Sequence, residues 1–234
     1  MIHVAVININ SEKGIFEKYN ASSFLSEPDY KTYNSLLKPS DRQLMLASRI
    51  LLDEMAKYIF GRCSIKTLHK NSLGKPILDG IKSVGISHSG EIAAVAMSNV
   101  SDIGIDVQHI KHVPLRDIQS VFSRLEQQKF EELPQDARPG WFHAQWSKKE
   151  AILKAEGIGL SIDPKRIYAD QTRGHIEKGG RSWYFKDCPD IENYSLQLCG
   201  DKPSEDVEWY MLKNNELTRL VHLKGRYGQN ARAG

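Results

Sequence analysis

The 234-residue chain has only three cysteines, Cys63, Cys188 and Cys199. They are odd in number, far apart and in no CxxC pair, which argues against a disulfide framework or a thiolate zinc site and suits a reducing cytoplasm. No apolar run approaches the roughly 18 residues of a membrane span. The opening Met1-Ile2-His3-Val4-Ala5-Val6-Ile7 has no basic leader and reads as a first strand. A dense basic block is missing too. The 32 basic and 29 acidic residues leave a net charge of +3, which argues against nucleic acid but still favours encounter with a polyanion or an acidic protein. Hydrophobic residues at 40% and charged residues at 26% exclude a disordered chain and indicate a folded, soluble one.

What is present is a succession of helix and strand patterns. Ser40 stands three residues before Gln43, the capping-box spacing. Beyond it Leu44, Ala47, Leu51, Met55 and Tyr58 recur at three- and four-residue steps up to Gly61, predicting a long helix with one buried stripe. Residues 83–87 and 91–97 predict a hairpin with Ser87 and His88 at its tip or edge. After a polar break, residues 103–108 predict another strand. Helical patterns cover 115–133 and 141–156, separated by Pro134 and Pro139. Strands of a meander are expected around 166–169, 183–185, 194–198 and 208–212. The division that follows is an N-terminal α/β half over 1–102, a C-terminal α/β half over 103–224 and a flexible, polar, Gly-rich tail over 225–234. No internal sequence repeat is visible.

Strand alternation sends Ile103, Ile105 and Val107 into the core and leaves Gly104, Asp106 and Gln108 on the other face. A carboxylate beside a glycine, which leaves room for a bulky ligand, suits Mg²⁺, an ion that takes a few carboxylates and completes its shell with phosphate oxygens. A solvated aspartate at a strand end is the plainer alternative. In the segment Trp146-Ser147-Lys148-Lys149-Glu150-Ala151-Ile152-Leu153-Lys154 the helical period stacks Trp146, Glu150 and Lys154 on one face. Lys149 points about 100° away from Glu150. An ordinary surface Glu-to-Lys pair explains that spacing equally well.

In this order, Gly104-Ile105-Asp106-Val107-Gln108 and Trp146 to Lys154 resemble the two signatures of the Sfp-type 4'-phosphopantetheinyl transferase superfamily, a Gly-(Ile/Val)-Asp-x-Glu strand and a Trp-(Ser/Thr)-x-Lys-Glu-(Ala/Ser)-x-x-Lys helix. Gly74-Lys75-Pro76 and Ile86-Ser87-His88-Ser89-Gly90 are weaker marks of the same family. The resemblance implies an α+β fold of two similar α/β halves forming a pseudo-dimer, with the active site in the cleft between them and a monomer sufficient. It implies transfer of the 4'-phosphopantetheine moiety of coenzyme A to a serine of an apo acyl, peptidyl or aryl carrier protein, releasing 3',5'-ADP, as a cytoplasmic holo-(acyl-carrier-protein) synthase does in fatty acid, polyketide or nonribosomal peptide biosynthesis. By the same resemblance Asp106, Glu150 and Lys154 are catalytic, with Glu150 in the set for general base. Asp106 and Glu150, with Gln108 acting directly or through water, hold Mg²⁺ or Mn²⁺. Arg49, Lys75, Ser87, His88, Lys149 and Lys154 bind coenzyme A, with His88 near its 3'-phosphate. The nucleophile belongs to the carrier, so no internal triad is required. Residues 121–124 offer apolar and basic groups for docking it, although burial in the protein's own core is the plainer fate of Val121 and Phe122.

The chain departs from the family at Gln108, where a second acid is usual; a carbonyl oxygen remains but one negative charge is lost. Lys31 and Arg42 are the candidates for basic residues ahead of the long helix. A non-catalytic coenzyme A or carrier-binding module is the competing reading, and a Mg²⁺-dependent phosphohydrolase ranks last for want of further carboxylates.

Overall fold

A computed structural model describes residues 1–61, 65–177 and 180–220. Cys63 and the tail expected over 225–234 lie outside the described residues. The first strand, β1 (Ile2–Asn8), is buried along nearly its whole length, as a strand covered on both faces must be. Three short helices follow, α1 (Ile15–Lys18), α2 (Ala21–Phe24) and α3 (Glu27–Ser35), and then the long helix α4 (Pro39–Phe60). The start of α4 corrects the sequence reading. Pro39 takes the first turn, where its fixed φ and missing N–H cost nothing, and no side chain caps the helix, so Ser40 does not act as the expected cap. Its end is as expected, at Gly61 with φ 65°. Leu44, Ala47, Leu51 and Met55 of the stripe are buried, whereas Tyr58 is 63% exposed and meets Tyr210 edge-on.

The short strands β2 (His69–Lys70) and β3 (Pro76–Ile77) precede the expected hairpin, β4 (Ser83–Ser89) with β5 (Ile92–Ser98), and then β6 (Ile103–His109). The region read as one helix over 115–133 is two, α5 (Leu115–Val121) and α6 (Arg124–Glu132), because Ser123 opens a new helix through a reciprocal capping box with Glu126. The site-bearing helix α7 (Arg138–Glu156) starts three residues earlier than expected, with Pro139 again in a first turn. The remainder is β7 (Ile167–Ala169), β8 (Arg173–Ile176), β9 (Trp183–Lys186), β10 (Tyr194–Gly200), β11 (Val207–Lys213) and β12 (Glu216–Arg219).

These strands make an α+β architecture with two five-stranded sheets, ordered β12-β11-β1-β5-β4 and β6-β10-β9-β8-β7. Sheet membership does not follow chain order. β11 lies parallel to β1 and carries β12 with it, so residues 207–219 complete the first sheet and the meander ends at β10. α4 covers one face of the first sheet through Ile50, Leu51 and Met55, and α7 covers the second through Ala151, Ile152 and Ala155. The other faces meet in a shared core of Val4, Val6, Ala94, Ile105, Val107 and Leu198. No helix among the described residues is long and apolar enough to cross a membrane.

Two contacts set the position of β6. Along its contact with β4, the Ile103, Val107 and His109 N–H groups donate to the hydroxyls of Ser83, Ser87 and Ser89 at 3.2, 3.2 and 3.0 Å. Each such bond contributes about 1 kcal/mol net. Gly85 lies between these serines, and a Cβ on it would stand 2.9 Å from the Ile105 side chain. On the other side of β6, a Cβ on Gly104 would fall 1.9 Å from the Ala151 carbonyl oxygen. The room that Gly104 leaves is therefore filled by the backbone of α7, and the expectation that it admits a ligand is corrected.

Candidate active site

A cavity of about 700 Å³ opens where α3, α4 and the β2–β3 segment face β4, β6 and α7, and it brings together Arg49, Ser87, His88, Asp106, Gln108, Trp146, Glu150 and Lys154. Strand alternation sends Asp106 to this side of β6, and the helical period of α7 delivers Trp146, Glu150 and Lys154 on one face.

Asp106 is 1% exposed, so it is no solvated strand-end aspartate. Its Oδ1 accepts from the Lys154 ammonium at 2.6 Å and from the Ser87 hydroxyl at 2.9 Å, and its Oδ2 accepts from the Gln108 amide at 3.0 Å. Ser87 is itself held on three sides, because its oxygen also accepts from Lys154 at 2.9 Å and from the Val107 N–H. Gln108 thus stands as a neutral donor to Asp106 in the place of the expected second acid. Glu150 carries neither a hydrogen bond nor an ion pair among the described residues. Burial raises its pKa most, the Asp106 charge adds to the rise, and Lys154 opposes it.

His88 keeps an exposed ring at the end of β4, yet the surrounding protein lowers its pKa, helped by the positive charges of Lys154 and Arg49. Arg49 lines the cavity but is already neutralised. Its Nε and Nη2 donate to the two oxygens of Asp29 at 2.6 and 3.1 Å, in a buried pair that fastens α3 to α4. Asp29 escaped the sequence reading; its one local signal is its place three residues after Ser26, whose hydroxyl accepts the Asp29 N–H at the start of α3.

Two expected cofactor ligands lie elsewhere. The Lys149 ammonium is fully enclosed by Glu126 Oε2 at 2.9 Å and the Pro164 and Val121 carbonyls, and burial lowers its pKa. It has no path to the cavity. Lys75 turns away from its cavity-lining neighbours Gly74 and Pro76 and donates to the Ala155 carbonyl at 2.6 Å. Of the other basic candidates, Lys31 pairs with Glu27 and Arg42 donates to the Leu36 carbonyl. Within residues 121–124, Phe122 is wholly buried and Ser123 is occupied as the cap of α6, which leaves a half-buried Val121 and an exposed Arg124 of the segment considered for docking.

No group of three or more His, Cys, Asp or Glu poised for a metal occurs among the described residues. Asp106 and Glu150 nevertheless face one cavity as two carboxylates, and the Asp106 charge disfavours ionisation of Glu150. Two hard oxygen donors fit a divalent cation whose remaining positions are filled by water and phosphate, as Mg²⁺ prefers, and do not make an all-protein cage.

Residues 102–199 match the pattern of the 4'-phosphopantetheinyl transferase superfamily, a stretch that contains Asp106, Glu150 and Lys154. The chain is 27% identical to the 4'-phosphopantetheinyl transferase Sfp of Bacillus subtilis, over 62% of this chain and 67% of that one. It is 34% identical to the 4'-phosphopantetheinyl transferase psf-1 of Bacillus pumilus over 63% and 66%. It is 29% identical to the 4'-phosphopantetheinyl transferase gsp of Aneurinibacillus migulanus over 54% and 56%. The matched stretches thus span between 56% and 67% of these relatives' own lengths. A crystal structure of Thermotoga maritima holo-(acyl-carrier-protein) synthase aligns at TM-score 0.35 and 19% identity over 42% of this chain and 61% of that one. In class, the site-bearing stretch is similar to the 4'-phosphopantetheinyl transferase superfamily. Within that class the chain is similar to its Sfp-type members, as the two signature segments imply.

Proposed function

We propose that this protein transfers the 4'-phosphopantetheine moiety of coenzyme A to a serine hydroxyl of an apo acyl, peptidyl or aryl carrier protein and releases 3',5'-ADP. The observation that carries this reading is the meeting of Asp106, Glu150 and Lys154 in one cavity beside His88. In this reading the two sheets with their helices act as the two halves of a pseudo-dimer with the active site in the cleft between them, residues 207–219 joining the half of residues 1–102 rather than the rest of 103–224, and a cytoplasmic monomer suffices. The finer assignment as a holo-(acyl-carrier-protein) synthase belongs to the same proposal.

The chemistry asks for charge neutralisation at a diphosphate and for removal of a proton from the attacking hydroxyl. Lys154, held by Ser87 and Asp106, offers its ammonium to the diphosphate oxygens from a fixed position. Glu150, facing the same cavity, accepts the serine proton. His88, lining the same cavity, donates an N–H to the 3'-phosphate. Mg²⁺, for which Mn²⁺ can substitute, supplies Lewis-acid stabilisation when held by Asp106 and Glu150.

The test is intact mass of several apo carriers after incubation with the protein, coenzyme A and Mg²⁺, with an EDTA control. Metal-dependent gain of one phosphopantetheine arm is expected. Coenzyme A binding with no gain on any carrier overturns the proposal in favour of a non-catalytic binding module, the reading that the self-satisfied Asp106 would then favour.

A further inference from the structure

Glu150 and Lys154 lie in the second half of α7, so whatever fixes the last turn of that helix fixes them. Most of that turn is closed from within. Gly157, with φ 71°, donates its N–H to the Leu153 and Lys154 carbonyls, and the Ile158 N–H also reaches Leu153. The next carbonyl, Ala155, is one of the orphan acceptors that every helix end leaves. It takes the ammonium of Lys75, 80 residues away in sequence, at 2.6 Å. A positive charge at a helix C-terminus is favourable in its own right.

Lys75 is presented rigidly. The Asn71 side-chain oxygen accepts the Leu73 and Lys75 N–H groups at 3.0 and 2.9 Å, and the Asn71 N–H donates to the Lys75 carbonyl at 3.0 Å. Gly74, at φ 88°, supplies the turn. The alkyl stem of Lys75 lies against Gly157, where an added Cβ would stand 2.8 Å from Lys75 Cδ.

We propose that Lys75 is a positioning residue, a helix cap supplied in trans by the β2–β3 turn that holds the last turn of α7 and, through it, sets Lys154 against Asp106 and Ser87. The proposal rests on the transferase reading, and it replaces direct contact between Lys75 and phosphate with action through the helix.

Lys75→Met keeps the stem and removes the ammonium. Its kcat for transfer is expected to fall about tenfold with KM for coenzyme A within about twofold of the native value, and amide exchange should quicken over residues 151–158. Lys75→Gln, which has an uncharged donor one bond shorter, is expected to retain KM and to lose less kcat than Lys75→Met. If Lys75→Met does not fold, as judged by circular dichroism, Lys75→Gln decides alone. A raised KM with kcat intact in either variant marks a phosphate ligand and overturns the proposal, as do native kinetics and native exchange in Lys75→Met. If the native protein modifies no carrier, the transferase reading fails, while the exchange comparison still tests the cap.

Discussion

Asp106 satisfies both carboxylate oxygens with Ser87, Lys154 and Gln108, while Glu150 nearby has no such donors, and this asymmetry assigns them different tasks. Glu150→Gln removes the proposed proton acceptor but no hydrogen bond, so transfer is expected to fall at least about a hundredfold with a urea midpoint no lower than the native one. Gln108→Glu exchanges a donor for a second charge against Asp106. The metal-free protein should lose about 1–3 kcal/mol of stability, recovered on adding Mg²⁺, and urea titrations with and without the ion measure both changes. His143 of α7 is 5% exposed, its Nε2 lies near the Lys111 N–H and carbonyl, and burial lowers its pKa. The unfolded chain therefore takes up a proton at a higher pH than the folded one. Stability is full at neutral pH and is lost as pH falls through the usual imidazole value toward the lower folded one. The urea midpoint should drop between about pH 7 and pH 5, and His143→Asn should flatten that drop. The meeting of Asp106, Glu150 and Lys154 in one cavity was legible in the sequence because strand and helix periods alone aim them. That Lys75 and Lys149 face backbone carbonyls was not legible, because whether a lysine meets a cavity or a carbonyl depends on contacts far apart in the chain.

At the scale of elements, α7 lying on β6 is the decisive contact. It is paid for by Gly104, which lets the two backbones touch. Gly104→Ala must push the helix off the strand and is expected to cost more than about 4 kcal/mol, seen as failure to reach a cooperative thermal transition; a native-like melt would show that the contact is loose. The spans of α4 and of the β4–β5 hairpin could be read because long periodic or alternating runs announce themselves. Their neighbours could not. Pro139 reads as a breaker when it is a first-turn residue, Pro39 rather than a Ser40 cap opens α4, and Ser123 hid a boundary inside one helical pattern because its effect lies in a capping box rather than in periodicity. The short strands β8 and β12, four residues each, carry too little alternation to be seen.

For the molecule as a whole, the return of β11 to the side of β1 could not be read from sequence, since no local pattern names a partner some 200 residues away. A fragment of residues 1–102 holds β1, β4 and β5 but leaves the β11 edge of β1 bare, and a fragment of 103–234 holds β11 and β12 without their sheet. Neither is expected to unfold cooperatively alone, while co-expression of the two should restore one transition by circular dichroism; a cooperative melt of the first fragment by itself would show that its sheet does not need β11. The same exchange also sets a clock. At about 5–20 residues per second of synthesis, β1 leaves the ribosome on the order of ten seconds or more before the strand that will cover its edge exists. The first sheet therefore cannot finish before residue 213 has been made, and the nascent protein must keep one hydrophobic strand edge from other chains until then.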